Sequence, residues 1–219
     1  MDTVTVRARW TVVGVLAGLL NANFVLEHLL PGVRDVAISG LSVRGQPWST
    51  AFRVGDGLSG VLVALLGAAL LRSGRRPRRR RVAAVLVLAA GVTTWVSAVV
   101  PLSCAATVSP ACAGSSPGAT APLANLVHDG VSIAGTTAAI VAAALLASAT
   151  TTRERVAHAL ALAAAAGLGL ALVVGAHGTV PGWFGAVQRA QVVVLSVWFA
   201  AVGRSVDVLA RRRGSTMGS

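Results

Sequence analysis

The sequence predicts an all-α fold: a polytopic transmembrane bundle of six helices with both termini in the cytoplasm, forming one domain over residues 1–213 with a flexible tail at 214–219. Three observations predict it. Hydrophobic side chains make up 55% of the 219 residues and charged ones only 12%, too apolar a balance for a soluble domain of this length. Apolar stretches of about twenty residues, the length a helix needs to cross a bilayer, recur along the whole chain. The basic residues, all 19 of them arginine, collect at alternate ends of those stretches.

Taken in order, the first stretch runs from Trp10 to Leu30. It is longer than a signal-peptide core and lacks a small-x-small cleavage site before Glu27 and His28, so it reads as an uncleaved span. The second, Phe52 to Leu71, is followed by "RSGRRPRRRR", and the third runs from Val82 to Leu102. The fourth, Leu123 to Ala147, opens on "NLVHDGVS" and then carries no further charge. The fifth covers Val156 to Ala176, and the sixth covers Val187 to Val208 ahead of "RRR" at 211–213. Ala, Leu, Val and Gly dominate all of them, and small side chains let helices approach closely where lipid supplies no hydrophobic drive between them.

With six spans, Arg7, Arg9, the cluster at 72–81, Arg153, Arg155 and 211–213 fall on one side. Arg34, Arg44, Arg53 and Arg189 fall on the other. The positive-inside rule reads the first side as the cytoplasm and the second as the outside of a bacterial plasma membrane. The net charge of +12 therefore belongs to topology and anionic headgroups, and no aromatic interleaving points to a nucleic-acid partner.

Two outer segments follow from that topology. Cys104 and Cys112 lie in a Ser/Pro/Gly-rich loop in an oxidising compartment, which makes a disulfide the first expectation. The other segment, 31–51, is long for a connection and carries Val33, Val36, Ala37, Leu41 and Val43. It lies along the membrane surface or caps the bundle.

Polar residues gather at the outer ends of the spans. Asn125, His128, Asp129 and Ser132 stand at i, i+3, i+4 and i+7 and share one helical face. The first span ends with Asn23, Glu27 and His28; the second opens with Arg53, Asp56 and Ser59; the fifth ends at His177; the sixth opens with Gln188, Arg189 and Gln191. Ionisable residues within spans are costly and usually face the bundle interior, so Glu27, Asp56 and Asp129 are expected to offset Arg53 and Arg189 there. The bland alternative is a ring of helix-end groups that snorkel to the headgroups or favour helix termini. His158, near the opposite end of the fifth span, reads as structural.

The expected picture is a vestibule open outward above an aliphatic half such as "VLVALLGAALL". A channel would need polar groups through the full depth. The role that fits is binding or handling a lipid, a headgroup or another small molecule at the outer leaflet, with no cofactor. Two alternatives stand beside it. An accessory subunit would use the bundle to hold a partner protein. A metal-dependent hydrolase of lipid amides or esters would gather His28, His128 and His177 on zinc, with Asp56 or Asp129 orienting water and Ser59 or Ser132 holding an oxyanion. No span carries the His-x-x-x-His pair of the known intramembrane enzymes of that kind. Haem ligation by His128 and His177, and nucleotide binding by the Gly-rich pieces, lack the surrounding motifs.

In order and spacing, "FRVGDGLSGVLV" opening the second span, "PLSC" with a second Cys in the following loop, "NLVHDGVS" opening the fourth and "VQRAQVVVLSVWFAAVGR" across the sixth carry a resemblance. The chain resembles the domain-of-unknown-function 998 family of bacterial six-span membrane proteins, particularly its actinobacterial branch, over nearly all of its length after Glu27. The resemblance implies the six-span topology and makes Asp56, His128 and Arg189 part of a polar signature; it implies no reaction. Gln188 stands where many members have an acidic residue before the Arg, so a Glu–Arg pair within the sixth span does not carry over to this chain.

Overall fold

The computed structural model describes residues 8–29, 38–73, 77–103, 122–150, 152–175 and 183–215. Among them there is no strand. The helices are α1 (Arg9–Asn21), a short α2 (Ile38–Leu41), α3 (Ser49–Arg72), α4 (Arg78–Val99), α5 (Leu123–Ala149), α6 (Thr152–Gly175) and α7 (Trp183–Ser215), with a 3₁₀ turn at Asn23–His28 after α1. The described residues contain 5 helices long and apolar enough to cross a membrane, within α3 to α7. This is a multi-pass membrane protein.

The first expected span is not one helix. The 13 residues of α1 end at Asn21, where the amide of Ala22 still bonds to the Gly18 carbonyl, and the chain tightens into the 3₁₀ turn. Asparagine competes with the helical backbone for hydrogen bonds. Here Asn21 donates to the Ser196 hydroxyl at 2.9 Å and Asn23 to the Phe52 carbonyl at 2.9 Å, so both side chains stitch this end to its neighbours. The helix and turn together reach about 32 Å, close to the thickness of a bilayer's hydrocarbon core.

The long helices form a closed ring. Each packs against its sequence neighbour, and α1 closes on α7. Glycine sets the two tightest seams. Gly14 and Gly18, four residues apart, meet the Phe199 and Ser196 carbonyls, and Gly203 meets the Trp10 carbonyl, so a Cβ at any of the three would strike backbone. Between α3 and α4, a Cβ on Gly60 would come within 2.6 Å of the Trp95 nitrogen and 2.7 Å of the Gly91 oxygen. This is the small-residue packing that membrane helices use in place of a hydrophobic drive.

One end of the ring carries Arg9, Arg72, 78–81, Arg155, Arg204, Arg211 and Arg212. There α4 begins four residues before the apolar run that predicts it, because arginine is a good helix former and can extend its charge past an apolar stem. Arg80 donates from Nε to the Ala149 carbonyl at 2.8 Å and so caps the last turn of α5. Inward of this end, Val63, Leu66, Val87, Ala142, Leu146 and Val202 fill the ring as an apolar plug.

That half is not purely aliphatic, however. The buried Asp207 of α7 accepts from the Thr11 amide at 2.8 Å, the Trp10 amide at 3.2 Å and the Thr11 hydroxyl at 2.7 Å. It serves α1 as an N-cap supplied by another helix, in place of Ala8, which has no side chain for the task. Trp198 Nε1–H donates to His158 Nδ1 at 3.0 Å, which leaves Nε2 protonated and 3.1 Å from the Ser205 hydroxyl. His158 is thus a fully satisfied core residue.

Candidate functional site

The opposite, arginine-poor end is organised by the way α4 stops. Pro101 has no N–H, so the carbonyl of Ser97, four residues back, loses its helical donor. His128 of α5 replaces it: Nδ1 lies 3.1 Å from the Ser97 carbonyl and 3.0 Å from the Val100 carbonyl. Both partners only accept, so Nδ1 carries a proton, and in the neutral ring Nε2 remains an acceptor. One turn before, Asn125 accepts from the Ser103 amide at 2.9 Å and its hydroxyl at 3.0 Å. One turn after, Ser132 lies 3.3 Å from the Ser97 hydroxyl. The "PLS" turn and the "NLVHDGVS" face are therefore one interlocked unit.

Beside that unit, on the axis of the ring, is a cavity of about 170 Å³. His128, Ser132, Ser97 and Thr94 form one wall, and Asp56 of α3 and Asn21 of α1 another. Gln188 and Gln191 of α7 face them, while Ala90, Ala139 and Phe199 border the apolar plug. Ile38, Ser39 and Ser42 also line it, and the Ile38 amide donates to Gln188 Oε1 at 2.9 Å. The described part of segment 31–51 thus caps the bundle, with Leu41 buried against Phe24 and Phe52.

Asp56 is the cavity's acidic group. Its Oδ1 accepts from Asn23 Nδ2 at 2.9 Å, and Gly55 leaves room for that amide by having no Cβ. Among the described residues no cation pairs with it, and none lines the cavity. The remaining polar lining groups are hydroxyls, amides and an imidazole, which offer acceptors in quantity.

Arg189 is engaged elsewhere. It forks onto Glu27, Nε to Oε1 at 2.8 Å and Nη2 to Oε2 at 2.6 Å, and its guanidinium lies 5.9 Å from the Phe24 ring centre. Glu27 is 5% exposed, so the carboxylate of this pair is held out of water, while Arg189 is partly exposed. The carboxylate that serves Arg189 comes from the 3₁₀ turn rather than from α3 or from the position before it in α7.

The other sequence candidates separate from the cavity. Ser59 is fully buried with its hydroxyl donating to the Ala17 carbonyl at 2.8 Å, an α3–α1 bond. Arg53 points between α3 and α4, its Nε donating to the Ala98 carbonyl at 3.2 Å. Asp129 is half-buried and lies outside the cavity lining. The His28 side chain is 80% exposed, 3.7 Å from Glu27, whereas His128 is buried in the cavity wall. His177, Cys104 and Cys112 lie outside the described residues, and with them the third histidine of the zinc reading and the disulfide. Among the described residues no three His, Cys, Asp or Glu gather as a metal site.

Asn21, Thr94 and Ser97, with Ser39 and Ser42 of the cap, are polar cavity residues that the sequence reading passes over. A signal exists for Asn21 and for Ser97. Asn21 interrupts an apolar run two residues before a second Asn, and Ser97 stands four residues before a proline that must orphan its carbonyl.

The model of a family described as proteins of unknown function, DUF998, matches residues 12–205. The chain belongs to the DUF998 family. The match includes both partners of the Glu27–Arg189 pair and the Gly14 and Gly18 contacts of the α1–α7 seam, as well as every cavity residue named above. Neither a curated protein nor a solved structure matches the chain.

Proposed function

We propose that this DUF998 protein crosses the bacterial plasma membrane six times, with both termini in the cytoplasm, and that its axial cavity opens to the outer leaflet to bind a small amine-bearing group, as a lipid headgroup or a free molecule. The sixth crossing is α1 with its 3₁₀ turn, whose combined length of about 32 Å suits a bilayer. The arginine-rich end supports the orientation.

The observation that carries the binding role is Asp56 in a cavity with no cation. A carboxylate held inside a bundle is costly unless a partner compensates it. Glu27 keeps Arg189 occupied, and the lining offers acceptors around Asp56. A ligand carrying positive charge and N–H donors would complete this arrangement, and about 170 Å³ accommodates a headgroup but not acyl chains. The apolar plug beneath supports a dead-end site over a conduit.

Mass spectrometry of the protein released from lipid nanodiscs tests the reading. The expected result is a retained amine-bearing lipid or small molecule that is lost in Asp56→Ala while Asp129→Ala retains it. Retention indifferent to Asp56 contradicts the proposal. So does stoichiometric zinc that disappears in His128→Ala, which would favour the hydrolase.

A further inference from the structure

The arginine that the cavity does not use stands over a second site, on the outside of the ring. Between α3 and α4 runs a groove of about 290 Å³ whose floor is Gly57, with Val54 and Val61 on one side and Trp95 and Val99 on the other. A Cβ on Gly57 would stand 3.6 Å from the Ala98 Cβ and 4.0 Å from Trp95, so the missing side chain is what keeps the groove open. Trp95 is 46% exposed along it.

Arg53 closes one end of this groove together with Thr50. Its Nε is spent on the Ala98 carbonyl, one of the orphan acceptors at the end of α4. That bond fixes the guanidinium plane, while its two terminal nitrogens bond to no described residue, and Arg53 forms no ion pair among them. No acidic residue lines the groove. Thr50 lies in the first turn of α3, where the helix dipole adds to the positive field. From Arg53 to Val61 the groove descends about 12 Å along the helix, wholly apolar below the arginine.

We propose that this groove is a binding site for one anionic phospholipid, with the phosphate on the Arg53 guanidinium and the Thr50 hydroxyl and an acyl chain lying over Gly57 against Trp95. Charge complementarity selects the occupant. A fixed guanidinium without a counter-ion above an apolar slot matches a phosphodiester joined to an alkyl chain. A zwitterionic lipid brings a cation of its own to a site that has no carboxylate to receive it. The site is independent of whatever the axial cavity binds.

Trp95 reports on it directly. The full chain is reconstituted in vesicles with phosphatidylglycerol or phosphatidylcholine brominated on the acyl chains, and the quenching due to Trp95 is taken as the difference between wild type and Trp95→Phe. Half-quenching is expected at a brominated phosphatidylglycerol fraction at least 5-fold below that for phosphatidylcholine, and the ratio should fall to about 1 in Arg53→Gln. Gly57→Leu, which fills the slot and keeps the charge, should abolish the preference as well, and it decides the matter if Arg53→Gln does not fold. Equal quenching by both lipids in wild type would make the groove an ordinary lipid-facing surface. No quenching by either would mean that protein covers it, and a preference that survives in Arg53→Gln or in Gly57→Leu would place the lipid elsewhere; each overturns the proposal.

Discussion

Arg189 and Glu27 meet through two parallel hydrogen bonds from one guanidinium edge, at 2.8 and 2.6 Å, across 162 residues of chain. The pair joins the start of α7 to the 3₁₀ turn that follows α1, and it thereby fixes the rotation of α7 that presents Gln188 and Gln191 to the cavity. Removing Arg189 leaves Glu27 charged and buried, whereas removing Glu27 strips this fork from a partly exposed arginine. Arg189→Ala is expected to destabilise the detergent-solubilised protein by about 3–5 kcal/mol, Glu27→Ala by less, and the double variant by less than their sum. Thermal melts of the four proteins measure the coupling; additive losses would show that the pair is not a unit.

Asp207 predicts a second coupling, at the arginine-rich end. Asp207→Ala strips the cap from Trp10 and Thr11 and should cost about 1–2 kcal/mol, and Thr11→Val should cost little more once Asp207 is gone. Cysteine labelling near the start of α1 should accelerate in Asp207→Ala, because the first turn frays. A melting temperature and labelling rate equal to wild type would remove the cap from the account.

His128 has two duties that substitution can separate. The Nδ1 proton holds the end of α4, so His128→Ala should destabilise by about 1–3 kcal/mol whether or not the cavity binds anything. His128→Asn offers an amide N–H in the Nδ1 direction without the Nε2 acceptor. It is expected to recover part of the stability and none of the ligand retention measured in nanodiscs. Full recovery of both would make the ring a cap alone.

Much of the fold can be read from the sequence because hydropathy and arginine placement act on whole segments. Five expected spans coincide with α3 to α7 to within a few residues at most ends, and α7 overruns because nothing in "GRSVDVLARRR" stops a helix. The break in the first span is harder to see, since Asn21 and Asn23 end α1 through partners on α7 and α3 that no local pattern reveals. The site divides in the same way. Spacing on α5 brings Asn125, His128 and Ser132 to one face, as periodicity expects. Which carboxylate serves Arg189, however, depends on the rotation of three helices, and from sequence Glu27 and Asp56 are equivalent candidates. Asp207 is hidden by a neighbouring run of arginines, although the lack of a capping side chain at Ala8 signals that α1 must borrow one.

The central claim is a negatively polarised cavity that opens outward, and a thiol at Ser132 in a Cys104→Ser/Cys112→Ser background tests it most directly. In right-side-out vesicles, modification by impermeant methanethiosulfonate reagents is followed with a trimethylammonium and a sulfonate head. The account predicts that the cationic reagent reacts about 10-fold faster than the anionic one from outside, and that Asp56→Asn brings the two rates together. Reaction only from the cytoplasmic side, or a rate ratio that ignores Asp56, would contradict it.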